Sequence, residues 1–126
     1  MLIPEDRLYS EFHLWVMTEG SRATIGISDH AAEELGEAAY VQLPQPGESI
    51  VRDSSFGMVE TSKALTDLLA PISGTVVEAN LAVQEAPEML TRDPYGTGWL
   101  ITVEPSEPGE LDLLMASQRY RDLVGG

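Results

Sequence analysis

Short runs in which apolar and polar residues alternate make up most of the chain, and turns rich in Gly and Pro separate them. Alternation over four to eight residues, with many β-branched side chains, is typical of half-buried β-strands. The pattern predicts strands at residues 14–17, 23–27, 39–43, 58–61, 65–69, 74–79 and 99–103. Many short strands with turns between them predict a mainly β fold, built as a small antiparallel sandwich or barrel.

Two segments have helical character instead. Ser28 is placed to cap a short helix that continues to residue 35, and Gly36 follows as a residue that commonly ends helices. Between residues 110 and 123 apolar side chains recur at roughly helical spacing, with a break expected near Ser117. We therefore expect short helices that flank the strands, one of them C-terminal. Because we find no linker and no repeat, we predict a single domain over residues 1–126.

The chain is strongly acidic: its 126 residues include 21 Asp and Glu against 7 Lys and Arg, a formal net charge of −14. Such a surface repels phosphate backbones and anionic lipid, so we expect the protein to bind neither nucleic acid nor membranes. Its protein partners should have basic docking surfaces. The lack of Cys fits a reducing compartment. No signal-peptide pattern and no apolar run near the ~18 residues of a spanning helix are visible, so we expect a cytoplasmic protein.

Few residues suggest an active site. His13 and His30 are the only histidines, they lack the spacing of zinc-binding motifs, and a zinc site would need carboxylates to complete it. No G-x-S-x-G nucleophile motif occurs, and the carboxylates are scattered. Gly96 and Gly98 precede a strand-like segment rather than a helix, which favours a turn over a phosphate-binding loop. The sequence therefore predicts no catalytic residue, no metal site and no enzymatic activity.

Lys63 differs from these residues because it is the only lysine of the chain. It falls between the strands predicted at 58–61 and 65–69, which places it at the tip of a hairpin. A turn tip is exposed, and this suits an amine to which another enzyme attaches a prosthetic group. A lysine used for Schiff-base chemistry is instead buried, where its pKa is lowered. We predict that Lys63 is an attachment site.

The residues around this lysine resemble the attachment hairpin of lipoyl domains. They read Glu60-Thr-Ser-Lys63-Ala64, followed by Ala70-Pro-Ile-Ser-Gly74-Thr-Val76. Biotin carriers place Met on both sides of the lysine, whereas this chain has Ser62 and Ala64, so the resemblance favours lipoate over biotin.

The likeness extends over nearly the whole chain to the H protein of the glycine cleavage system. It rests on His13-x-Trp15-Val16, Ile25-Gly-Ile-Ser28-Asp-His-Ala31, Leu35-Gly36, Tyr40-Val41-x-Leu43-Pro44, Asp93-Pro-Tyr-Gly96-x-Gly98-Trp99 and the region of Tyr120. The resemblance implies a lipoyl-domain-like hybrid of barrel and sandwich, with antiparallel strands and flanking helices. It also implies that lipoate is amide-linked to Lys63, with Glu60 and Ala64 in the attachment hairpin.

The same resemblance implies a non-catalytic carrier whose lipoyl-lysine arm moves an intermediate between enzymes. A lipoate-attaching ligase or transferase would modify the lysine. In glycine cleavage the arm takes an aminomethyl group from glycine decarboxylase, a pyridoxal-phosphate enzyme, and delivers it to the folate-dependent aminomethyltransferase. The flavoprotein dihydrolipoamide dehydrogenase then reoxidises the arm.

Two positions depart from the family at the end of the groove that receives the cargo. Leu14 stands where these H proteins have Glu, Phe12 stands where a small polar residue is common, and Asp67 is kept. A carboxylate at position 14 can bind the ammonium of an aminomethyl cargo, and Leu14 cannot. The resemblance includes a related group of H-like lipoate-binding proteins, which implies a cytoplasmic sulfur-oxidation pathway with a heterodisulfide-reductase-like complex as partner. We favour this group because a sulfur cargo suits an apolar groove. The alternative is the H protein of glycine cleavage, in which the two substitutions are drift.

Overall fold

The computed structural model describes residues 1–125, and strands dominate it as the sequence predicts. The strands are β1 (Leu8–Tyr9), β2 (Leu14–Glu19), β3 (Arg22–Ile27), β4 (Ala38–Gln42), β5 (Ser49–Ile50), β6 (Ser55–Thr61), β7 (Leu65–Leu69), β8 (Gly74–Ala79) and β9 (Ile101–Pro105). The helices are α1 (Asp29–Leu35), α2 (Leu81–Glu85), α3 (Glu88–Arg92) and α4 (Ser117–Val124), with a 3-10 helix at Pro108–Leu113.

The strands form two antiparallel sheets. The larger sheet has the order β1-β2-β3-β9-β8-β5, and the smaller one has the order β4-β6-β7. The smaller sheet contains the hairpin that ends in Lys63, since β6 pairs with β7 from Ser55↔Leu69 to Glu60↔Leu65. This arrangement confirms the mainly antiparallel β fold with short helices, one of them C-terminal.

A continuous apolar core lies between the sheets. It draws on both of them and on the helices, and its fully buried members include Ile25, Val41, Val59, Leu90 and Ile101. Burying an aliphatic side chain of this size contributes ~1.5–3 kcal/mol. A second buried cluster, Ile3, Tyr9, Trp15 and Tyr120, joins the N-terminal strands to α4. The C-terminal helix is therefore part of the packed fold and holds β1 and β2 from outside.

Helix α1 begins and ends where the sequence predicts. The Ala31 N–H donates to the Ser28 side chain at 3.2 Å, which satisfies one of the free donors of the first turn. Gly36 follows the helix with a φ of 74°, a backbone conformation that glycine adopts without strain. The position of α1 matters below because it supplies one wall of a groove.

The structure differs from the sequence prediction mainly at short elements. The two-residue strands β1 and β5 and the helices α2 and α3 were not predicted. The C-terminal segment is interrupted before Ser117, because Met115 pairs with Tyr9 as an isolated bridge. The last strand spans residues 101–105 rather than 99–103. Two-residue strands and single-turn helices have too little periodicity to be recognised, and long-range pairing decides where they form.

Among residues 1–125, no helix is both long enough and apolar enough to cross a membrane. The cytoplasmic location stays a prediction.

Candidate functional site

The loop between β6 and β7 is short and internally bonded. The Thr61 N–H donates to the Ala64 carbonyl at 2.9 Å, which closes the loop around Ser62 and Lys63. The Thr61 hydroxyl oxygen accepts from the Lys63 N–H at 3.3 Å and from the Ala64 N–H at 3.2 Å. Thr61 therefore fixes the backbone of the tip, a role that the sequence analysis did not assign to it.

Lys63 lies at this tip and is exposed, as are Ser62 and Ala64 on either side. Glu60, on the strand that enters the loop, is also exposed, and its register partners are Tyr40 on β4 and Leu65 on β7. A rigid tip with a free amine is what a modifying enzyme needs to reach. The structure thus places Glu60, Lys63 and Ala64 together on one protruding hairpin.

A groove of about 300 Å³ begins on the strand that leaves this tip. Phe12, Leu14 and Asp67, the three residues predicted to contact the cargo, all line it. Its other walls come from the start of β2, the end of β3, helix α1 and strand β7: His13, Ile27, Ala31, Glu34, Leu35, Thr66 and Leu68. Asp67 lies four residues beyond Lys63, about 13 Å along an extended strand. A group attached to Lys63 has to be long to reach it, as a lysine-bound lipoate is.

The groove has an apolar floor and an acidic rim. Leu14 is only 3% exposed and belongs to the main core, whereas Phe12 is 41% exposed at the entrance. Asp67 is exposed, and its carboxylate accepts a hydrogen bond from the Ser55 hydroxyl at 3.2 Å. The groove therefore combines apolar side chains at its floor with a carboxylate at its rim.

Glu34 is a second acidic residue of the groove, and the sequence analysis missed it. It lies on α1, its side chain is 64% exposed, and its Oε1 lies 3.2 Å from Nε2 of His30. Its sequence neighbourhood is typical of an ordinary solvated helix face, and it reaches the groove because α1 and β7 line the same cavity. No local pattern could have identified it.

Behind the groove, a buried network holds His13 in place. Nδ1 of His13 and the hydroxyl of Tyr120 share a hydrogen bond of 2.8 Å, and the same hydroxyl shares one of 2.7 Å with the Ser28 hydroxyl. Burial raises the pKa of Tyr120 to about 12, so this phenol stays protonated at neutral pH. Burial, and then the nearby His30, lower the pKa of His13, which favours the neutral imidazole.

Comparison with known proteins identifies relatives along the whole chain. A family model described as "Glycine cleavage H-protein" matches residues 7–125. The glycine cleavage system H protein of Anaeromyxobacter sp. (strain K) is 45% identical, over 98% of this chain and 97% of that protein. That of Bacillus licheniformis is 44% identical, over 98% of both chains.

A solved structure agrees with these relatives. The crystal structure of a glycine cleavage system H protein from Mycobacterium marinum matches with a TM-score of 0.89 and 37% sequence identity. The match covers 98% of this chain and all of that one. The likeness therefore includes both sheets and the flanking helices, and confirms the predicted lipoyl-domain-like fold. This chain belongs to the glycine cleavage H-protein family, whose members are non-catalytic carriers of lipoate bound covalently to a lysine.

Proposed function

We propose that Lys63 carries the lipoyl group and that this chain is the aminomethyl carrier of a glycine cleavage system. The observation that supports it is the placement of the only lysine at an exposed, hydrogen-bonded tip, on the hairpin whose second strand lines a groove with two carboxylates. Since the family's lipoate is bound to a lysine, no other side chain of this chain offers the same attachment chemistry. The partners are then a lipoate-attaching enzyme, glycine decarboxylase, the aminomethyltransferase and dihydrolipoamide dehydrogenase.

The relatives favour glycine cleavage over the sulfur-oxidation role that we inferred from Phe12 and Leu14. Relatives that match almost the entire chain carry the glycine cleavage name, in bacteria as distant as Anaeromyxobacter and Bacillus. Neither a sulfur cargo nor a heterodisulfide-reductase-like partner finds support among them. Glycine cleavage, the alternative in our sequence interpretation, is therefore better supported than sulfur oxidation.

The groove also weakens the chemical argument for a sulfur cargo. That argument depended on the loss of a carboxylate at position 14, which removes one acceptor for the ammonium of an aminomethyl cargo. Asp67 and Glu34 still line the same cavity and supply two carboxylates. A hydrogen bond to a charged group contributes ~1.5–3 kcal/mol, and Asp67, which the family also has, and Glu34 each offer the ammonium one such acceptor. An ammonium cargo is therefore compatible with Leu14.

Each part of the chain then has a defined task. Thr61 orders the loop that presents Lys63 to the attaching enzyme, and Leu14 and Phe12 give the groove an apolar surface that keeps water from the cargo. Asp67 and Glu34 bind and orient the positive end of the cargo. Lipoate itself supplies a reactive dithiol that alternates between the reduced and disulfide forms. Holding the cargo on a tether raises its effective concentration at each partner.

Attachment is tested by intact mass. After incubation with a lipoate-attaching enzyme, the wild-type chain gains one lipoyl group, whereas Lys63→Arg gains none. A lipoyl group on the Lys63→Arg chain, at the N-terminal amine for example, would overturn the assignment.

The role of the two carboxylates is tested by cargo retention. The lipoylated chain is loaded by glycine decarboxylase, separated from it, and followed for release of the aminomethyl group. Asp67→Asn and Glu34→Gln should each shorten the lifetime of the loaded form about tenfold, on the basis of one charged hydrogen bond. Glu33→Gln, an exposed neighbour on α1 outside the groove lining, is the matched control. A double variant that retains cargo as long as the wild type would contradict this assignment.

A further inference from the structure

The two histidines of the chain meet beside the groove, although they lie on different elements. His13 precedes β2 and His30 lies in the first turn of α1, and their ring centroids are 4.4 Å apart with planes inclined by 40°. Glu34 lies one helical turn after His30, with its carboxylate 3.2 Å from the His30 Nε2. One ligand atom from each of the three residues lies within 4.8 Å of the other two. This provides the carboxylate that the sequence analysis required for a zinc site and could not locate.

The surroundings of His13 fix it in this position. Its φ is 70°, a left-handed conformation that costs a non-glycine residue about 1–2 kcal/mol and that the neighbouring structure has to maintain. The fully buried Tyr120 hydrogen-bonds to Nδ1, so the ring orientation is set and Nε2 is free of that bond. A hydrogen bond at one imidazole nitrogen commonly orients the other nitrogen toward a metal ion.

We propose that His13, His30 and Glu34 bind a divalent transition-metal ion of the zinc type. Two imidazoles and one carboxylate are a donor set that suits Zn²⁺ and Co²⁺ and disfavours Mg²⁺ and Ca²⁺, which prefer oxygen ligands alone. Three protein ligands leave a fourth position open for water or another ligand. A neighbouring open cavity of about 580 Å³, lined by both histidines, Phe12 and Glu11, gives that position access to solvent.

To bind one ion, the ligand atoms of the three residues need to move only slightly closer together. At Zn–N and Zn–O distances near 2.0–2.1 Å, tetrahedral ligand atoms lie about 3.3 Å apart. The His30 and Glu34 atoms already meet this separation at 3.2 Å. Because the Glu34 side chain is 64% exposed, whereas that of His30 is 24% exposed and His13 is held by Tyr120, most of the movement falls to Glu34. Glu34 also lines the proposed cargo groove, so a bound zinc ion and an ammonium cargo would compete for its carboxylate. Zinc binding is therefore measured on the chain without lipoate, separately from cargo retention.

The test is a titration of the tag-free full chain before lipoate attachment, because a reduced dithiol would bind zinc itself. We expect one Zn²⁺ per chain by isothermal titration calorimetry, a visible absorption spectrum with Co²⁺ typical of a four- or five-coordinate site, and no comparable binding of Mg²⁺. His30→Ala should weaken zinc binding more than tenfold, and Glu34→Gln should weaken it as well. Asp67→Asn removes a groove carboxylate that is not one of the three proposed ligands, and it should bind zinc as tightly as the wild type does.

Two results would overturn the proposal. One is the absence of saturable zinc binding by the wild-type chain. The other is unchanged affinity in His30→Ala or Glu34→Gln, which would place any bound ion elsewhere on the acidic surface. Circular dichroism checks that each variant is folded. If His30→Ala does not fold, the zinc affinity of Glu34→Gln, a change at an exposed helix position, decides the test.

Discussion

His13 and Tyr120, which are 107 residues apart in the chain, share a hydrogen bond of 2.8 Å between the imidazole Nδ1 and the phenol oxygen. The C-terminal helix α4 thereby holds a residue of the groove in place. The same phenol bonds to Ser28, the residue that caps α1, so one buried hydroxyl joins α4, α1 and the start of β2. The shape of the groove depends on this junction.

Removing that hydroxyl should therefore destabilise the fold. Tyr120→Phe removes the hydrogen bonds to His13 and Ser28, and at ~0.5–1.5 kcal/mol for each bond the loss is ~1–3 kcal/mol. The measurement is the free energy of unfolding in urea. Tyr40→Phe makes the same chemical change at an exposed position and should alter stability by less than about 0.5 kcal/mol. Equal stability of the two variants would mean that the network contributes nothing.

The lowered pKa of His13 predicts that stability falls in mild acid. Burial and His30 disfavour the protonated ring in the folded chain, so its pKa there lies below the ordinary value of 6.5. As the pH drops through 6.5, the unfolded chain takes up this proton first and unfolding becomes more favourable, until the folded form is protonated too. Urea unfolding between pH 7.5 and 5, with a chelator present, measures the slope. His13→Gln should reduce it, and an undiminished slope would assign the effect to other groups.

Gly26 lies on β3 against the indole of Trp15, and a Cβ at this glycine would overlap that ring. Trp15 is buried and its indole N–H donates to the Pro94 carbonyl at 3.1 Å, so it cannot move away freely. Gly26→Ala should lower the free energy of unfolding by ~1–3 kcal/mol through overpacking, and this is measured as a lower Tm. Gly109→Ala, where a Cβ meets no atom of residues 1–125 within 4 Å, is the control and should leave Tm nearly unchanged.

Thr61 controls the presentation of Lys63. Thr61→Val keeps the shape of the side chain but removes the two hydrogen bonds to the loop N–H groups, so the tip samples more conformations. We expect lipoate attachment to slow roughly fivefold, which corresponds to about 1 kcal/mol of lost ordering. Thr61→Ser retains the hydroxyl and should be modified at the wild-type rate. Equal rates for Thr61→Val and wild type would show that the attaching enzyme orders the loop itself.

Sequence alone predicted the elements whose determinants are local. Alternation located the longer strands to within a few residues, and Ser28 with Gly36 marked the ends of α1, because capping acts within a few residues of a helix end. Lys63 was placed at a hairpin tip because two strand patterns flank it closely.

Features that depend on distant contacts were not predicted. Glu34 reaches the groove because α1 and β7 line the same cavity, and His13 meets His30 because the start of β2 lies beside the first turn of α1. The inference from Leu14 also put too much weight on a single position. The missing carboxylate and the retained Asp67 can be recognised from the sequence, whereas Glu34 is brought to the groove only by the fold.

The exchange of bicarbonate with the carboxyl group of glycine, catalysed by glycine decarboxylase, tests the central claim most directly. The exchange requires a carrier that accepts the aminomethyl group. We predict that the chain lipoylated at Lys63 supports exchange in proportion to its concentration, and that Lys63→Arg, treated identically, gives only the background rate. If the chain carries lipoate at Lys63 by mass and still gives no exchange above that background, the glycine cleavage role is contradicted.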